Sequence, residues 1–368
     1  MTQPLSHLIV DAHQDLAWNA QTFGRDYTRP ALVTRERERA ANSPAPLHNG
    51  ETLLGLADFL LGRVAVIFGT LFASPRRRQT GEWETLVYDD PAGAHRLYAR
   101  QLDYYHRLAD EHAAFRLIGS RADLEAVLTT WDGDDLARRR VGLVPLMEGA
   151  DAIREPKEAE WWQERGLRIV GLAWAGTQYA GGTGEPGPLT ELGRRLLGGL
   201  ADLGLILDLA HASDESFLEA LDRFPGVAIA SHANPRALVR NPRRPERFLS
   251  DTMIRRLAEH GGVAGVVPCN YFLNAQWTAR DGKPAVTLEA VVAAIDHVCQ
   301  ITGSAAHVGL GSDFDGGFGV ATTPAEIDTI ADLRQLAPRL AERGYSTADV
   351  AAILGGNWLT VLRRGLPA

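Results

Sequence analysis

The chain has 368 residues, 45% of them hydrophobic, with a formal net charge of −8 and an isoelectric point near 5.8. This acidic balance provides no basic face, so nucleic acid and anionic membranes are poor candidates as partners, and the triplets Arg76-Arg77-Arg78 and Arg138-Arg139-Arg140 read as solvated surface. Two cysteines, Cys269 and Cys299, suggest no disulfide framework and lack zinc-site spacing. The N-terminal Met1-Thr2-Gln3-Pro4-Leu5 has no basic or apolar leader region, and no run of about 18 apolar residues occurs. A cytoplasmic protein without a membrane partner is the expectation. The length is large for one domain, yet α/β barrels reach it as single units.

The first apolar run, Leu8-Ile9-Val10, reads as a buried strand leading into Asp11-Ala12-His13-Gln14-Asp15. Side chains alternate along a strand, so Asp11, His13 and Asp15 share one face, and an imidazole beside carboxylates is a place to hold a divalent metal. Residues 16–60 read as a loop or short helices inserted after strand one. A second strand covers 63–72, followed by a polar, loop-like insertion over 73–90. Helical periodicity appears over 91–111 and again over 121–128.

A third strand runs over 141–148 and ends on Glu148, and a helix over 156–165 has proline in its first turn. The fourth strand, 166–174, ends in Ala173-Trp174 and precedes a glycine-rich loop at 181–187. A helix over 189–202 is entered at Thr190 and closed by Gly204. The fifth strand ends on His211, and the sixth, after a helix over 214–224, ends on His232. A helix over 250–260, a seventh strand over 262–268, a helix over 287–302 and an eighth strand ending on Asp313 follow. Helices over 324–343 and 347–364 complete the chain.

Eight buried strands alternating with helices are parallel βαβ units. They predict an α/β fold, a (β/α)8 TIM barrel with insertions after strands one and two, forming a single domain over 1–368. A doubly wound open sheet is the alternative. The barrel is preferred because it gathers the polar residues at the strand ends onto one mouth. Those residues are His13, Asp15, Glu148, His211, His232 and Asp313. Three histidines with several carboxylates suit Zn2+, with Mn2+ or Co2+ as alternatives. They are too many for one tetrahedral ion and fit the number needed for two.

The segments Asp11-Ala12-His13-Gln14-Asp15, Leu207-Asp208-Leu209-Ala210-His211, Ser231-His232-Ala233-Asn234 and Gly311-Ser312-Asp313-Phe314-Asp315-Gly316 resemble, in the same order, the membrane (renal) dipeptidase family of the amidohydrolase superfamily. The resemblance implies a binuclear zinc dipeptidase acting on small dipeptide-like substrates. His13 and Asp15 would bind the first ion, Glu148 would bridge both, and His211 and His232 would complete the second site. A metal-bridging hydroxide would be the nucleophile, and Asp313 would be the general acid and base. Arg240 matches the arginine that holds the substrate's terminal carboxylate, a task suited to a bidentate donor. Asp315, in the last segment, is a further substrate-binding candidate. Homodimers are common in that family, so the same expectation attaches to this chain.

The chain departs from that family at the end of strand four, where Thr-His is usual and Ala173-Trp174 stands here. Indole donates one hydrogen bond and cannot become cationic. Trp174 therefore either supplies the missing donor, leaves it to Gln178 or Tyr179, serves as packing in the mouth, or marks a different substrate. The loop Pro268-Cys269-Asn270-Tyr271 also differs from the Asn-Phe-Tyr type sequence common there. An N-acyl amino acid or a lactone is accordingly the alternative substrate for the same metal centre. A non-enzymatic barrel is disfavoured by the complete ligand set, and nucleotide-binding glycine motifs are absent.

Overall fold

The computed structural model describes residues 7–133 and 135–368. Eight parallel strands among them form the barrel sheet: β1 (Ile9–Gln14), β2 (Val64–Leu71), β3 (Val141–Met147), β4 (Ile169–Gly171), β5 (Ile206–Asp208), β6 (Ala228–Ile229), β7 (Ala264–Val266) and β8 (Val308–Leu310). The strand order is β7-β8-β1-β2-β3-β4-β5-β6. A parallel bridge between Ala230 and Ala264, with Gly265 N–H donating to the Ala230 carbonyl at 2.8 Å, joins the two ends into a ring. This is the expected TIM-barrel architecture. Close strand approach requires glycine at 265, where a Cβ would stand 1.9 Å from the Ser231 carbonyl oxygen.

The strands are apolar on both faces because one face fills the barrel and the other packs under helices. Every residue of β1, β2 and β3 is buried. The later ladders are short, pairing over two or three residues, while their apolar flanks stay buried as irregular chain. The helix Pro91–Glu111 begins where Asp90 accepts from the Gly93 N–H, with Pro91 in the first turn. Its Tyr98, Leu102 and Tyr105 face the barrel. The segment Lys283–Thr302 is long and apolar enough to cross a membrane. In the structure Leu288, Val291, Val292, Ile295 and Val298 of its helix are buried in the main hydrophobic core.

The insertion after β1 folds as four short helices, Leu16–Phe23, Ala31–Ala40, Ala45–Asn49 and Leu56–Gly62. The insertion after β2, expected as a loop, contains a small parallel pair, Ser74–Pro75 with Val87–Tyr88. A strand that the periodicity did not reveal, Phe115–Leu117, pairs with the first half of β3, while β4 pairs with the second half.

Two helix expectations need correction. The helix expected over 324–343 starts only at Ile330, because Thr329 and Asp332 form a reciprocal capping box there. The last helix contains a π turn, Ala352–Gly356, where Gly355 sits against β1 and a Cβ would lie 2.7 Å from the Leu8 carbonyl oxygen.

Candidate metal centre

The polar ends of the strands converge at the C-terminal mouth, where barrel active sites are built. β1 carries His13 with its side chain fully buried, and the chain turns into a helix just after Asp15. Glu148 follows β3, its backbone held by donation from Tyr98 Oη to its carbonyl at 2.7 Å. Glu148 Oε1 lies 3.7 Å from His13 Nε2, 3.2 Å from His211 Nε2 and 3.4 Å from His232 Nε2. Asp15 Oδ2 and Asp313 Oδ1 lie 3.7 Å and 3.9 Å from His13 Nε2. Among the described residues, His13, Glu148 and His232 form one set able to hold an ion, and His13, Asp15 and Asp313 form another. One carboxylate oxygen thus faces all three imidazoles, so Glu148 occupies the centre of the cluster.

Local backbone geometry aims these groups. His211 and Asp313 have φ of +65° and +57°, a left-handed region that non-glycine residues rarely adopt and that concentrates at functional sites. Glycine at 316 makes room, since a Cβ there would stand 2.1 Å from Asp313 Oδ1 and 2.8 Å from Asp15 Oδ2. Asp11, on the same strand face as His13, accepts from Gln14 Nε2 at 2.6 Å and from the N–H and hydroxyl of Ser312. It braces the end of β8 against β1 and takes no place in the cluster.

The histidine rings are oriented from behind. Ser231 Oγ donates to Asp208 Oδ2 at 2.6 Å and lies 2.8 Å from His232 Nδ1. With its proton committed to Asp208, the serine accepts from Nδ1–H, which leaves Nε2 of His232 with a free lone pair. That lone pair faces His211 Nε2 at 2.9 Å. Thr183 Oγ1 lies 2.9 Å from His211 Nδ1.

The electrostatics fit a bound cation. Burial holds His13 down at about 3 and keeps His211 and His232 well below the usual imidazole range, which favours the neutral form that can bind a metal. Burial, with mutual repulsion, lifts Asp15 and Glu148 well above the carboxylate range. Among the described residues, no protein group satisfies either ring nitrogen of His13 or the acceptor Asp15 Oδ1. Buried polar atoms left in this state are costly, and a divalent ion would satisfy them together. The residues present therefore suit metal ions.

Two of the substrate-side candidates stand apart from the others in their surroundings. Arg240 is exposed at the surface. Arg247, which the sequence reading passed over, is buried instead. Its Nη1 donates to the His232 carbonyl at 2.7 Å, and its Nη2 lies 3.6 Å from Asp313 Oδ2 without a hydrogen-bond partner among the described residues. Five arginines fall within 236–247, and their spacing alone does not mark the one that turns inward. Asp315 is also not free for a substrate. It is fully buried and accepts from Arg25 Nη1 at 3.0 Å, Tyr27 Oη at 2.8 Å, Thr52 Oγ1 at 2.5 Å and the Leu53 N–H at 3.0 Å. It ties the first insertion to the end of β8.

Trp174 stands at the mouth, half-buried, with its ring centroid 6.3 Å from that of His211 and 5.0 Å from that of Phe72. Gln178 Nε2 and Tyr179 Oη both donate to the Ile153 carbonyl and are engaged away from the cluster. Asp313 lies beside His13 in this cluster, with its carboxyl raised by burial to about 7, against the lowering effect of Arg247.

Comparison with known proteins gives the chain's family and fold. An uncharacterised protein encoded 5′ of pqqA in Klebsiella pneumoniae is 30% identical over 233 residues, covering 61% of this chain and 82% of its own. An uncharacterised dipeptidase of Schizosaccharomyces pombe is 29% identical over 234 residues, and the match spans about half of that longer relative, 54%. The crystal structure of a family M19 metallopeptidase, dipeptidase AC, superposes with a TM-score of 0.75 at 22% identity, covering 99% of this chain and 100% of that one. A metallopeptidase from Rhodobacter sphaeroides, solved with a phosphinate mimic of the dipeptide L-Ala-D-Ala, also gives 0.75 at 22% identity, covering 98% and 99%. The sequence profile of the membrane dipeptidases, peptidase family M19, matches residues 5–365. The chain belongs to this family and is a metal-dependent hydrolase.

Proposed function

We propose that the protein is a binuclear zinc dipeptidase that hydrolyses the peptide bond of small dipeptides. The observation that carries this reading is the position of Glu148 Oε1, within 3.7 Å of the Nε2 atoms of His13, His211 and His232. His13 and Asp15 would hold one ion, His211 and His232 the other, with Glu148 shared between them. When bound, the ions lower the pKa of a water and polarise the scissile carbonyl.

The chain's own residues supply the remaining steps. Asp313, buried and titrating near neutrality, takes a proton at its carboxylate as the peptide carbon is attacked and returns it to the leaving amine. Arg247, in place of Arg240, orients Asp313 and offers its unpartnered Nη2 to the terminal carboxylate of the substrate. The phosphinate mimic of L-Ala-D-Ala bound to the Rhodobacter sphaeroides relative supports including dipeptides with a C-terminal D-residue.

Trp174 favours a second reading, hydrolysis of an N-acyl amino acid or a lactone on the same centre, because indole cannot become the cationic donor a histidine would be. Metal analysis of the purified protein, followed by turnover of L-L and L-D dipeptides beside N-acyl amino acids and lactones, separates the two. Two zinc ions per chain with dipeptide turnover is the expected result. Turnover confined to the other substrates would replace the first reading with the second.

A further inference from the structure

The barrel mouth is divided between two kinds of surface. On one side, after β6, stands the buried Arg247, beside Asp313 at the end of β8. In a ring of eight strands the position opposite β6 is β2. Phe72 directly follows β2 and is half-buried. Its ring lies 5.0 Å from Trp174, which follows β4, and 6.5 Å from Trp18, on the helix after β1. The aromatic surface continues outward: Trp18 meets Trp83 edge-on at 6.2 Å, and Trp83 stacks on Phe23 at 5.7 Å and on His48 at 4.5 Å. A chain of aromatic rings therefore runs past the ends of β1, β2 and β4, and at Trp174 it approaches His211, with ring centroids 6.3 Å apart.

We propose that Trp174 and Phe72, backed by Trp18, form the receptor for the side chain of the substrate's amino-terminal residue, and that the enzyme prefers dipeptides whose first residue is aromatic or a large aliphatic. The inference rests on the dipeptidase reading above. With the terminal carboxylate on Arg247 and the scissile carbonyl at the cluster, the amino-terminal residue is directed across the mouth toward β2. There it meets ring faces and edges, which reward apolar area and aromatic contact and give a charged side chain no partner. The indole at 174 then acts as a binding surface in the place where the family usually has a histidine. Its neighbour Thr183 donates its N–H to the Trp174 carbonyl at 2.9 Å, so the backbone beneath the ring is held by the same loop that touches His211.

The test uses the zinc-loaded full chain with Gly-Ala, Asp-Ala, Leu-Ala and Phe-Ala, comparing wild type with Trp174→Ala, Trp174→Leu and Phe72→Leu. Phosphinate analogues of Phe-Ala and Gly-Ala are titrated in parallel by calorimetry. The expected kcat/KM for Phe-Ala exceeds that for Gly-Ala by about tenfold or more, the scale at which apolar pockets discriminate. The expected ratio collapses toward one in Trp174→Ala, and the two analogues bind in the same order as the substrates. If Trp174→Ala does not fold, Trp174→Leu and Phe72→Leu carry the comparison, each with a reduced ratio. Dipeptide cleavage with a ratio unchanged by all the variants overturns this proposal and leaves the dipeptidase reading standing. Cleavage of none of the dipeptides overturns both.

Discussion

The hydroxyl of Thr183 lies 2.9 Å from Nδ1 of His211, while Nε2 of the same ring faces Glu148 at 3.2 Å. The glycine-rich loop over 181–187 thus holds a residue that orients the His211 ring. Arg78 Nη2 donates to the Thr183 carbonyl at 2.9 Å, which fixes the loop from the β2 side. Partners of this kind are worth about 10- to 100-fold in metal affinity. Thr183→Val is expected to weaken zinc binding by that order, read by competition with a chelator, and Thr183→Ser is expected to restore it. Equal affinity in Thr183→Val and wild type would remove the role.

Glu148 faces all three histidines, so its loss should affect both ions rather than one. Glu148→Ala is expected to lower bound zinc from two ions per chain to one or fewer and to abolish dipeptide turnover. Mass spectrometric metal analysis after gel filtration checks the stoichiometry. Retention of two ions would rule out a shared ligand.

The two arginines make a paired prediction. Arg247 is buried beside Asp313 and holds that carboxyl lower than burial alone would, whereas Arg240 is exposed. Truncating a buried charge partner costs on the order of 3 kcal/mol, about 100-fold. Arg247→Ala is expected to lower kcat/KM by that order and to move the acidic limb of the pH profile upward, because the lowering effect on Asp313 is gone. Arg240→Ala is expected to leave both within about twofold, as surface substitutions usually do. The reverse pattern would return the carboxylate-binding role to Arg240.

The pH dependence of the metal-free protein follows from opposed shifts. Asp15, Glu148 and Asp313 have folded pKa values raised above an unfolded value of about 4, so the folded chain binds protons that the unfolded chain lacks. Their contribution to stability is present below about pH 4 and is lost as pH rises through the folded values, near 7 for Asp313. The three histidines are shifted down, so their contribution is present above about 6.5 and is lost as pH falls. Metal binding must therefore expel carboxyl protons below neutrality. Chelation is expected to lower the unfolding temperature more at pH 8 than at pH 5, with proton release at pH 6 detected as buffer-dependent heat. An equal drop at both pH values would contradict the carboxyl shifts.

Asp315 joins Arg25, Tyr27 and Thr52 behind the site. Asp315→Ala leaves Arg25, which is 4% exposed, with Glu38 as its remaining carboxylate. Breaking a buried pair costs roughly 3–5 kcal/mol, so a marked fall in the denaturation midpoint is expected, with KM unchanged in the protein that remains folded. A raised KM at unchanged stability would restore Asp315 as a substrate contact.

The sequence by itself determined the barrel and which histidines and carboxylates gather at its mouth. Eight apolar runs at βαβ spacing admit few topologies, and His13, Glu148, His211 and His232 each lie in a strand or just past its end, so local pattern carried the information. The capping box at Thr329, the strand Phe115–Leu117 and the π turn at Ala352–Gly356 depend on partners distant in sequence or on weak local signals, and were not legible. The substrate side depended on tertiary structure most. Arg240 and Arg247 share a composition and a loop, and only the fold turns one inward. Asp315 shares a segment with Asp313, yet its neighbours come from residues 25–53, nearly the length of the chain away. Positions in or just past a strand follow from its apolar run, whereas Arg247 and Asp315 lie on irregular chain whose direction is set by what it packs against.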